Sequence, residues 1–150
     1  MGEMRCDVNA AADLGYATPN PKVTVLIAVY NGERFLREAL DSVLAQTFTD
    51  FELLVVNDGS TDETVTILES YSDQRIRVIT NRRNIRVVGS LRRGLNYARG
   101  EYIARIDAED IALPERLEKQ VRYLDFHPQV GMVSSRCLAI DEDGRPVSSS

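Results

Sequence analysis

The sequence contains no tryptophan, one histidine, His127, and two cysteines, Cys6 and Cys137. Serine and cysteine hydrolases need an imidazole beside the nucleophile, and zinc hydrolases usually need two or three, so a single histidine disfavours both classes. The cysteines lack the spacing of a zinc or redox pair, and we expect two free thiols. We expect His127, which precedes Pro128, to cap the end of a helix.

Long hydrophobic runs are also absent. The longest stretch without a charged side chain has ten residues, well below the about 18 needed to cross a bilayer. The first twenty residues lack the apolar stretch of a signal peptide. We therefore expect no transmembrane segment and a cytoplasmic protein, with the inner face of the membrane as an alternative site. A formal charge of −5 without a basic arm argues against nucleic acid as a partner.

The chain has 150 residues, of which 43% are apolar, as expected for one globular domain. Residues 1–20 show neither the period of a strand nor that of a helix, so we expect a loose leader there. The domain then covers residues 21–150.

Short apolar runs alternate with amphipathic stretches from residue 22 onward, a pattern typical of parallel strands joined by crossover helices. It predicts five strands, at residues 23–29, 51–56, 76–80, 102–106 and 130–135. It predicts helices at about 32–46, 62–71 and 86–99, and a fourth with Pro114 in its first turn. The third helix is expected to bury Val88, Leu91, Leu95 and Ala98. The predicted fold class is α/β, with a three-layer, mostly parallel sheet.

Ligands bind such sheets at the carboxyl ends of the strands, and Tyr30-Asn31-Gly32-Glu33 follows the first strand. This segment has one glycine where a dinucleotide fingerprint needs three, and the chain has no Gly-Lys-Ser/Thr phosphate loop. Tyr30 and Glu33 could hold a base by stacking and a ribose by hydrogen bonds. Alternatively, Tyr30 is a surface residue and Glu33 a first-turn carboxylate favoured by the helix dipole.

Asp58 follows the second strand and precedes Gly59-Ser60. It is either a turn former that bonds nearby amides or the acceptor for a ring N–H of a pyrimidine base. As a turn carboxylate that faces a base, it would be dispensable to the core. Asp62, in the same turn, can cap the following helix.

Three carboxylates in four residues, Asp107, Glu109 and Asp110, follow the fourth strand. Their repulsion would be relieved by a divalent cation, and oxygen ligands favour Mg²⁺ or Mn²⁺ over zinc. The alternative is helix capping by Asp110. Arg86, near a helix start, is a candidate phosphate contact or part of a solvated face.

Two segments together resemble the inverting family 2 glycosyltransferases: VTVLIAVYNGERFLREALDSVLAQTFTDFELLVVNDGSTDET and NIRVVGSLRRGLNYARGEYIARIDAEDIALPERLEKQ. The NDGSTD turn, the Gln46-Thr47 pair and the Gly-Glu-Tyr-Ile strand with its acidic end occur in the family's order, over about residues 23–133. The resemblance implies the Rossmann-like half of the A-type glycosyltransferase fold. It also implies a nucleotide diphosphate sugar, uridine type first, as donor, a saccharide or lipid-linked acceptor, and a role in polysaccharide or cell wall synthesis.

The resemblance also implies the site residues. It assigns nucleotide binding to Ala28, Tyr30, Glu33, Asp58, Arg86, Asp107 and Ala108, and the Mn²⁺ or Mg²⁺ ion to Asp107 and Glu109. The sequence departs from the family pattern at four of its positions: Ala28 replaces Pro, Arg86 replaces Gly, Arg92 replaces Asn, and Glu109 replaces Asp. Since Glu is one methylene longer than Asp, we expect the ion to shift or to bind more weakly.

In the family, the acceptor-binding half supplies the catalytic base, and we expect that half beyond the end of this chain. The catalytic base is therefore unassigned, and exposed apolar surface on the uncovered side should favour self-association. One alternative is a nucleotide-binding or interaction module without catalysis. Another is a receiver-like domain, which requires acidic residues after the first and third strands and a lysine after the fifth. This chain has Tyr30, Asn81 and Arg136 at those three positions.

Overall fold

The computed structural model describes residues 20–141 and 144–147. Strands and helices alternate in the order β1 (Val23–Val29), α1 (Leu36–Leu44), β2 (Phe51–Asn57), α2 (Thr64–Glu69), β3 (Ile76–Thr80), α3 (Arg86–Leu95), β4 (Tyr102–Arg105) and α4 (Arg116–Phe126). The predicted leader over residues 1–20, with Cys6, lies outside the described residues apart from Asn20.

The four strands form one parallel sheet in the order β3-β2-β1-β4. Alternate residues of β1 point to opposite faces of the sheet. Val25 and Ile27 join the core cluster that contains residues of α1, α2 and α4. Leu26 joins Leu54 and Val56 in a second cluster with residues of α3. Helices on both faces explain why the central strands are almost wholly apolar, and they confirm the predicted three-layer α/β fold.

The predicted fifth strand is wrong. Within the described residues, the sheet has four strands, and residues 130–135 pair with none of them. Half of this segment is polar or glycine, and Met132 is 84% exposed. Gln120 of α4 donates to the Ser135 hydroxyl at 2.9 Å. The segment therefore buries too little apolar surface to form a strand beside β4.

The predicted buried face of α3 is also wrong in part. Val88 is 75% exposed and Leu95 is 52% exposed, whereas the residues that α3 buries are Ser90 and Gly94. A Cβ at Gly94 would lie 2.4 Å from Leu26 Cδ1, so only glycine permits this close approach to β1. The polar contacts of Ser90 and the missing side chain of Gly94 turn the helix away from the orientation that hydrophobic spacing predicts.

Helix α1 begins at Leu36 rather than at residue 32. Helix α4 begins at Arg116, two residues after Pro114. Buried Gln46 fixes the start of α4, because its side chain accepts from Leu117 N at 3.0 Å and donates to Leu113 O at 2.8 Å. His127 is the C-cap residue of α4, which confirms its predicted place at a helix end.

Arg86, the first residue of α3, has φ 67. A residue with a side chain is strained by roughly 1–2 kcal/mol in this left-handed conformation. Glycine removes the strain but loses more backbone conformational entropy on folding. We expect Arg86→Gly to raise the free energy of unfolding by about 0.5–1 kcal/mol, measured by urea denaturation.

Asn31 has φ 52 and provides the matched control. Its side-chain oxygen accepts from Thr61 N at 2.9 Å, so glycine relieves strain there but loses a hydrogen bond. We expect Asn31→Gly to gain no stability. Equal stabilisation by both substitutions would contradict the role given to the Asn31 side chain.

Candidate nucleotide-binding cleft

A cleft of about 420 Å³ lies at the carboxyl ends of β1 and β4. Leu26 pairs with Arg105, and Ile106 N donates to Leu26 O at 3.2 Å. The residues that follow in each strand are thereby brought to opposite sides of one opening. The lining comprises Ala28, Val29, Tyr30, Asn31, Gly32, Arg34, Phe35, Asp107, Ala108 and Glu109. Five of the residues predicted from sequence therefore meet in this cleft: Ala28, Tyr30, Asp107, Ala108 and Glu109.

The loop after β1 is fixed by the turn after β2. Asn31 N donates to Ser60 Oγ at 3.0 Å, and Gly32 N donates to Thr64 Oγ1 at 2.9 Å. Asp62 accepts from Thr64 N at 3.0 Å, but the N-cap residue of α2 is Glu63, so the prediction that Asp62 caps this helix is wrong by one position. Burial raises the pKa of Asp62, but the hydrogen bonds from Thr64 and Glu33 N outweigh burial and lower it. The NDGSTD turn thus holds the wall of the cleft that Tyr30 occupies.

Glu33 lies outside the lining of the cleft. Its Oε2 accepts from Glu63 N at 3.1 Å, and its own N–H donates to Asp62 Oδ2 at 3.0 Å. These reciprocal bonds join the β1–α1 loop to the start of α2. Nucleotide binding by Glu33 remains a prediction, and the structure gives the side chain a bridging role between two loops.

Asp58 is buried, with 2% of its surface exposed. Its Oδ1 accepts from Asn81 Nδ2 at 2.7 Å and from Ile85 N at 2.9 Å. Asn81 also donates to Ser90 Oγ at 2.8 Å and accepts from the Arg93 guanidinium. The carboxylate therefore ties the end of β2 to β3 and to the start of α3.

This network corrects one expectation, because Asp58 is not dispensable to the fold. Burial raises the pKa of Asp58, but bonds from the Ile85 amide and from Asn81 outweigh it and hold the pKa below its ordinary value. The residue lies beside the cleft, since Asp58 N donates to Val29 O at 2.8 Å.

Asp107 and Glu109 line the cleft, but the acidic segment differs from the prediction. Among the described residues, no three histidine, cysteine, aspartate or glutamate side chains come close enough to hold one ion. Asp107 Oδ1 accepts from Arg105 Nη2 at 2.6 Å. A guanidinium, rather than a third carboxylate, is therefore the charged neighbour of Asp107.

The two cleft carboxylates still fit a divalent cation. Mg²⁺ and Mn²⁺ are usually held by one or two carboxylates together with substrate phosphates and water. Asp107 and Glu109 supply hard oxygen ligands on one wall of a cleft that is large enough for a second ligand. A site of this kind needs no third protein carboxylate.

The prediction from sequence included Arg86 and missed five residues of the lining: Val29, Asn31, Gly32, Arg34 and Phe35. Arg86 is exposed and does not line the cleft. Asn31, Arg34 and Phe35 do line it, and the Arg34 guanidinium lies 4.9 Å from the centre of the Phe35 ring. The rule that ligands meet the loops after parallel strands could have identified these residues, since all three follow β1.

A parallel sheet with a cleft at the carboxyl ends of its strands is the architecture of α/β domains that bind ligands at this edge. The sequence matches the family described as Glycosyl transferase family 2 over residues 24–149. The chain belongs to this family. Its curated relatives include a Bacillus subtilis (strain 168) glycosyltransferase named EpsE, 42% identical over 127 residues that make up 83% of this chain and 46% of EpsE. A glycosyltransferase of Haemophilus influenzae is 41% identical over 77% of this chain and 36% of its own length.

Solved glycosyltransferases have the same fold. S. aureus TarS in complex with UDP is similar with a TM-score of 0.68 and 31% identity, over 71% of this chain and 33% of that one. The mannosyltransferase PcManGT of Pyrobaculum calidifontis, in complex with GDP-Man and Mn²⁺, has a TM-score of 0.65 and 26% identity, over 70% and 32% of the two chains. The chain thus spans less than half the length of these relatives. Within the part of the chain that the structure describes, no helix is long and apolar enough to cross a membrane.

Proposed function

We propose that this chain is the donor-binding portion of an inverting glycosyltransferase, which moves a sugar from a nucleoside diphosphate sugar to an acceptor hydroxyl. The observation that carries the proposal is the cleft in which Tyr30 meets Asp107 and Glu109. Family membership supports sugar transfer. Uridine is the first candidate for the base, because TarS is similar to this chain and binds UDP and UDP-GlcNAc.

The cleft has the size and the groups that such a donor requires. Its volume of about 420 Å³ falls within the range of about 300–1,000 Å³ that is usual for ligand pockets. Tyr30 is 50% exposed, so its ring is available for stacking on a base. The main chain at Ala28 can hydrogen-bond the nucleoside, and Asp107 and Ala108 would lie by the ribose and diphosphate.

A cation would be held by Asp107 and Glu109. When bound, Mn²⁺ or Mg²⁺ stabilises the negative charge of the leaving diphosphate. PcManGT, which binds GDP-Man and Mn²⁺, supports a divalent ion in this fold. Asp107 and Glu109 would position the ion, while the turn that holds Asn31 and Gly32 keeps the opposite wall in place.

The proposal is tested by calorimetric titration of the chain with uridine, guanosine and thymidine diphosphates, each with Mn²⁺ and with a chelator. We expect one nucleotide, uridine diphosphate first, to bind more tightly with Mn²⁺. Absence of binding for all three nucleotides in both conditions would contradict the proposal.

Glu109→Ala is expected to abolish the effect of Mn²⁺ on nucleotide affinity, because one of two protein ligands to the ion is lost. Asp110→Ala is the matched control, since Asp110 belongs to the same acidic segment and does not line the cleft. We expect Glu109→Asp to strengthen the Mn²⁺ dependence, because the shorter side chain restores the usual residue of the family. If Glu109→Ala keeps the full Mn²⁺ effect, Glu109 is not a ligand.

The remaining parts of the proposal concern the whole protein. We propose a saccharide or lipid-linked acceptor, a cytoplasmic location with the inner face of the membrane as the alternative, and a role in polysaccharide or cell wall synthesis. The exposed apolar residues Leu113, Phe126 and Met132 favour self-association. A mass-spectrometric transfer assay with several nucleotide sugars and acceptors distinguishes an active transferase from a nucleotide-binding module without catalysis.

A further inference from the structure

The Arg105 guanidinium forms an ion pair with Asp107, a carboxylate that the proposed cation site requires. Arg105 interrupts the apolar run of β4, and its Nη2 donates to Asp107 Oδ1 at 2.6 Å. We propose that Arg105 competes with the divalent cation for Asp107 and thereby sets the affinity of the chain for the metal. This inference rests on the proposed function, which assigns Asp107 to the cation.

The ion pair joins the end of β4 to the loop that follows it. Arg105 is the last residue of β4, and Asp107 lies two residues further on, in the lining of the cleft. Arg116 Nη2 donates to the main-chain oxygen of Arg105 at 3.0 Å, which fixes this end of the strand against α4. The ion pair therefore forms beside a strand end that the first residue of α4 holds in place.

Both cations bind the same carboxylate, since Arg105 donates to Oδ1 and leaves Oδ2 of Asp107 for the ion. Mg²⁺ lies about 2.1 Å from a carboxylate oxygen and accepts little distortion of its ligands. A guanidinium bonded to the other oxygen of the same carboxylate would lie within a few ångströms of the ion, where like charges repel. Binding of the ion to Asp107 therefore either displaces Arg105 or takes place against its charge, and both lower the metal affinity.

The size of the effect follows from the exposure of the pair. The side chains of Arg105 and Asp107 are 57% and 49% exposed, so water and salt screen their attraction. Exposed ion pairs of this kind shift an equilibrium by about two- to five-fold. We expect a change in metal affinity of the same size when the guanidinium is removed.

The test is a Mn²⁺ titration of the chain followed by electron paramagnetic resonance of the free ion, without nucleotide. We expect Arg105→Gln to bind Mn²⁺ about two- to five-fold more tightly than the unaltered chain. Arg105→Lys keeps the charge and should bind Mn²⁺ about as weakly as the unaltered chain. Arg92→Gln removes a charge from the exposed face of α3, outside the cleft, and should leave affinity unchanged.

Three results would overturn the proposal: equal or weaker binding in Arg105→Gln, equal tightening in Arg92→Gln, or no Mn²⁺ binding in any of the four proteins. Thermal unfolding of each variant verifies that it is folded. Because nucleotide is absent, this titration decides the role of Arg105 separately from the calorimetry. Tighter Mn²⁺ binding in Arg105→Gln, combined with no binding of any nucleoside diphosphate, would support the effect of Arg105 on metal affinity and contradict the proposed function.

Discussion

Glu52→Ala is expected to lower the free energy of unfolding by about 3 kcal/mol. The Glu52 carboxylate is fully buried and lies 2.7 Å from Arg77 Nη1 and 2.9 Å from Arg99 Nη2. It also accepts from Thr24 Oγ1 at 2.7 Å and from Arg99 N at 2.8 Å. Removal of the carboxylate leaves both guanidinium groups without a counter-charge. The cost stays at the lower end of the range for broken buried pairs, because the two arginine side chains are about a third exposed.

Urea denaturation of Glu52→Ala measures this cost. The matched control is Glu101→Ala, which removes an exposed carboxylate that lies 2.9 Å from Lys22 Nζ. Exposed pairs contribute about 0–1 kcal/mol, so the control should lose no more than that. Equal losses in the two variants would contradict the structural role assigned to Glu52.

The same carboxylate predicts a loss of stability in acid. Burial raises the pKa of Glu52, but hydrogen bonds from Thr24, Arg77 and Arg99 outweigh burial and lower the pKa below its ordinary value of 4.5. A carboxyl group with a lowered pKa stabilises the folded state above its unfolded pKa and loses that contribution as the pH falls through its folded pKa. The urea concentration at the unfolding midpoint should therefore decrease as the pH is lowered below about 4.5. The decrease should be smaller in Glu52→Ala.

Asp58→Ala is expected to reduce both the stability of the chain and its affinity for the nucleotide. The substitution removes the carboxylate that Asn81 Nδ2 and Ile85 N share as an acceptor, at a cost of about 1–3 kcal/mol in unfolding free energy. If Asp58 accepts the ring N–H of a base, the loss of that charge-assisted bond weakens binding by about 1.5–3 kcal/mol. Calorimetry and urea denaturation on the same variant measure the two effects.

Ser90→Ala distinguishes these two roles of Asp58. Ser90 is buried in the same network, where its Oγ accepts from Asn81 Nδ2 at 2.8 Å, but it carries no carboxylate that a base could use. We expect Ser90→Ala to lose about 1 kcal/mol of stability and to keep its nucleotide affinity. Unchanged affinity in Asp58→Ala would show that the carboxylate holds α3 and does not contact the base.

The central part of the fold could be predicted from the sequence, because a nearly continuous apolar run itself indicates a buried parallel strand. The runs Val23–Val29 and Phe51–Asn57 are nearly continuous apolar segments, and both became buried strands. The face of α3 could not be predicted, because it depends on the polar contacts of Ser90 and on the fit of Gly94 against Leu26. Hydrophobic spacing contains no information on either contact.

The candidate site, like the fold, could be predicted only in part. Tyr30, Asp107 and Glu109 were predicted because residues that follow neighbouring parallel strands meet at one edge of the sheet. The burial of Asp58 and the pairing of Arg105 with Asp107 were not predicted. Each depends on which partner a charged side chain selects in three dimensions, and the spacing of residues along the chain does not specify that choice.

The most direct test of the proposed donor site is the nuclear magnetic resonance spectrum of the ¹⁵N-labelled chain, recorded as uridine diphosphate and Mg²⁺ are added. The account predicts that the amide signals of residues 28–32, 34–35 and 107–109, which line the cleft, shift most. The signals of Thr24, Glu52 and Arg99, whose buried contacts lie at the amino ends of the strands, should stay in place. The largest shifts at those amino-end residues, or no shifts at any residue, would contradict the account.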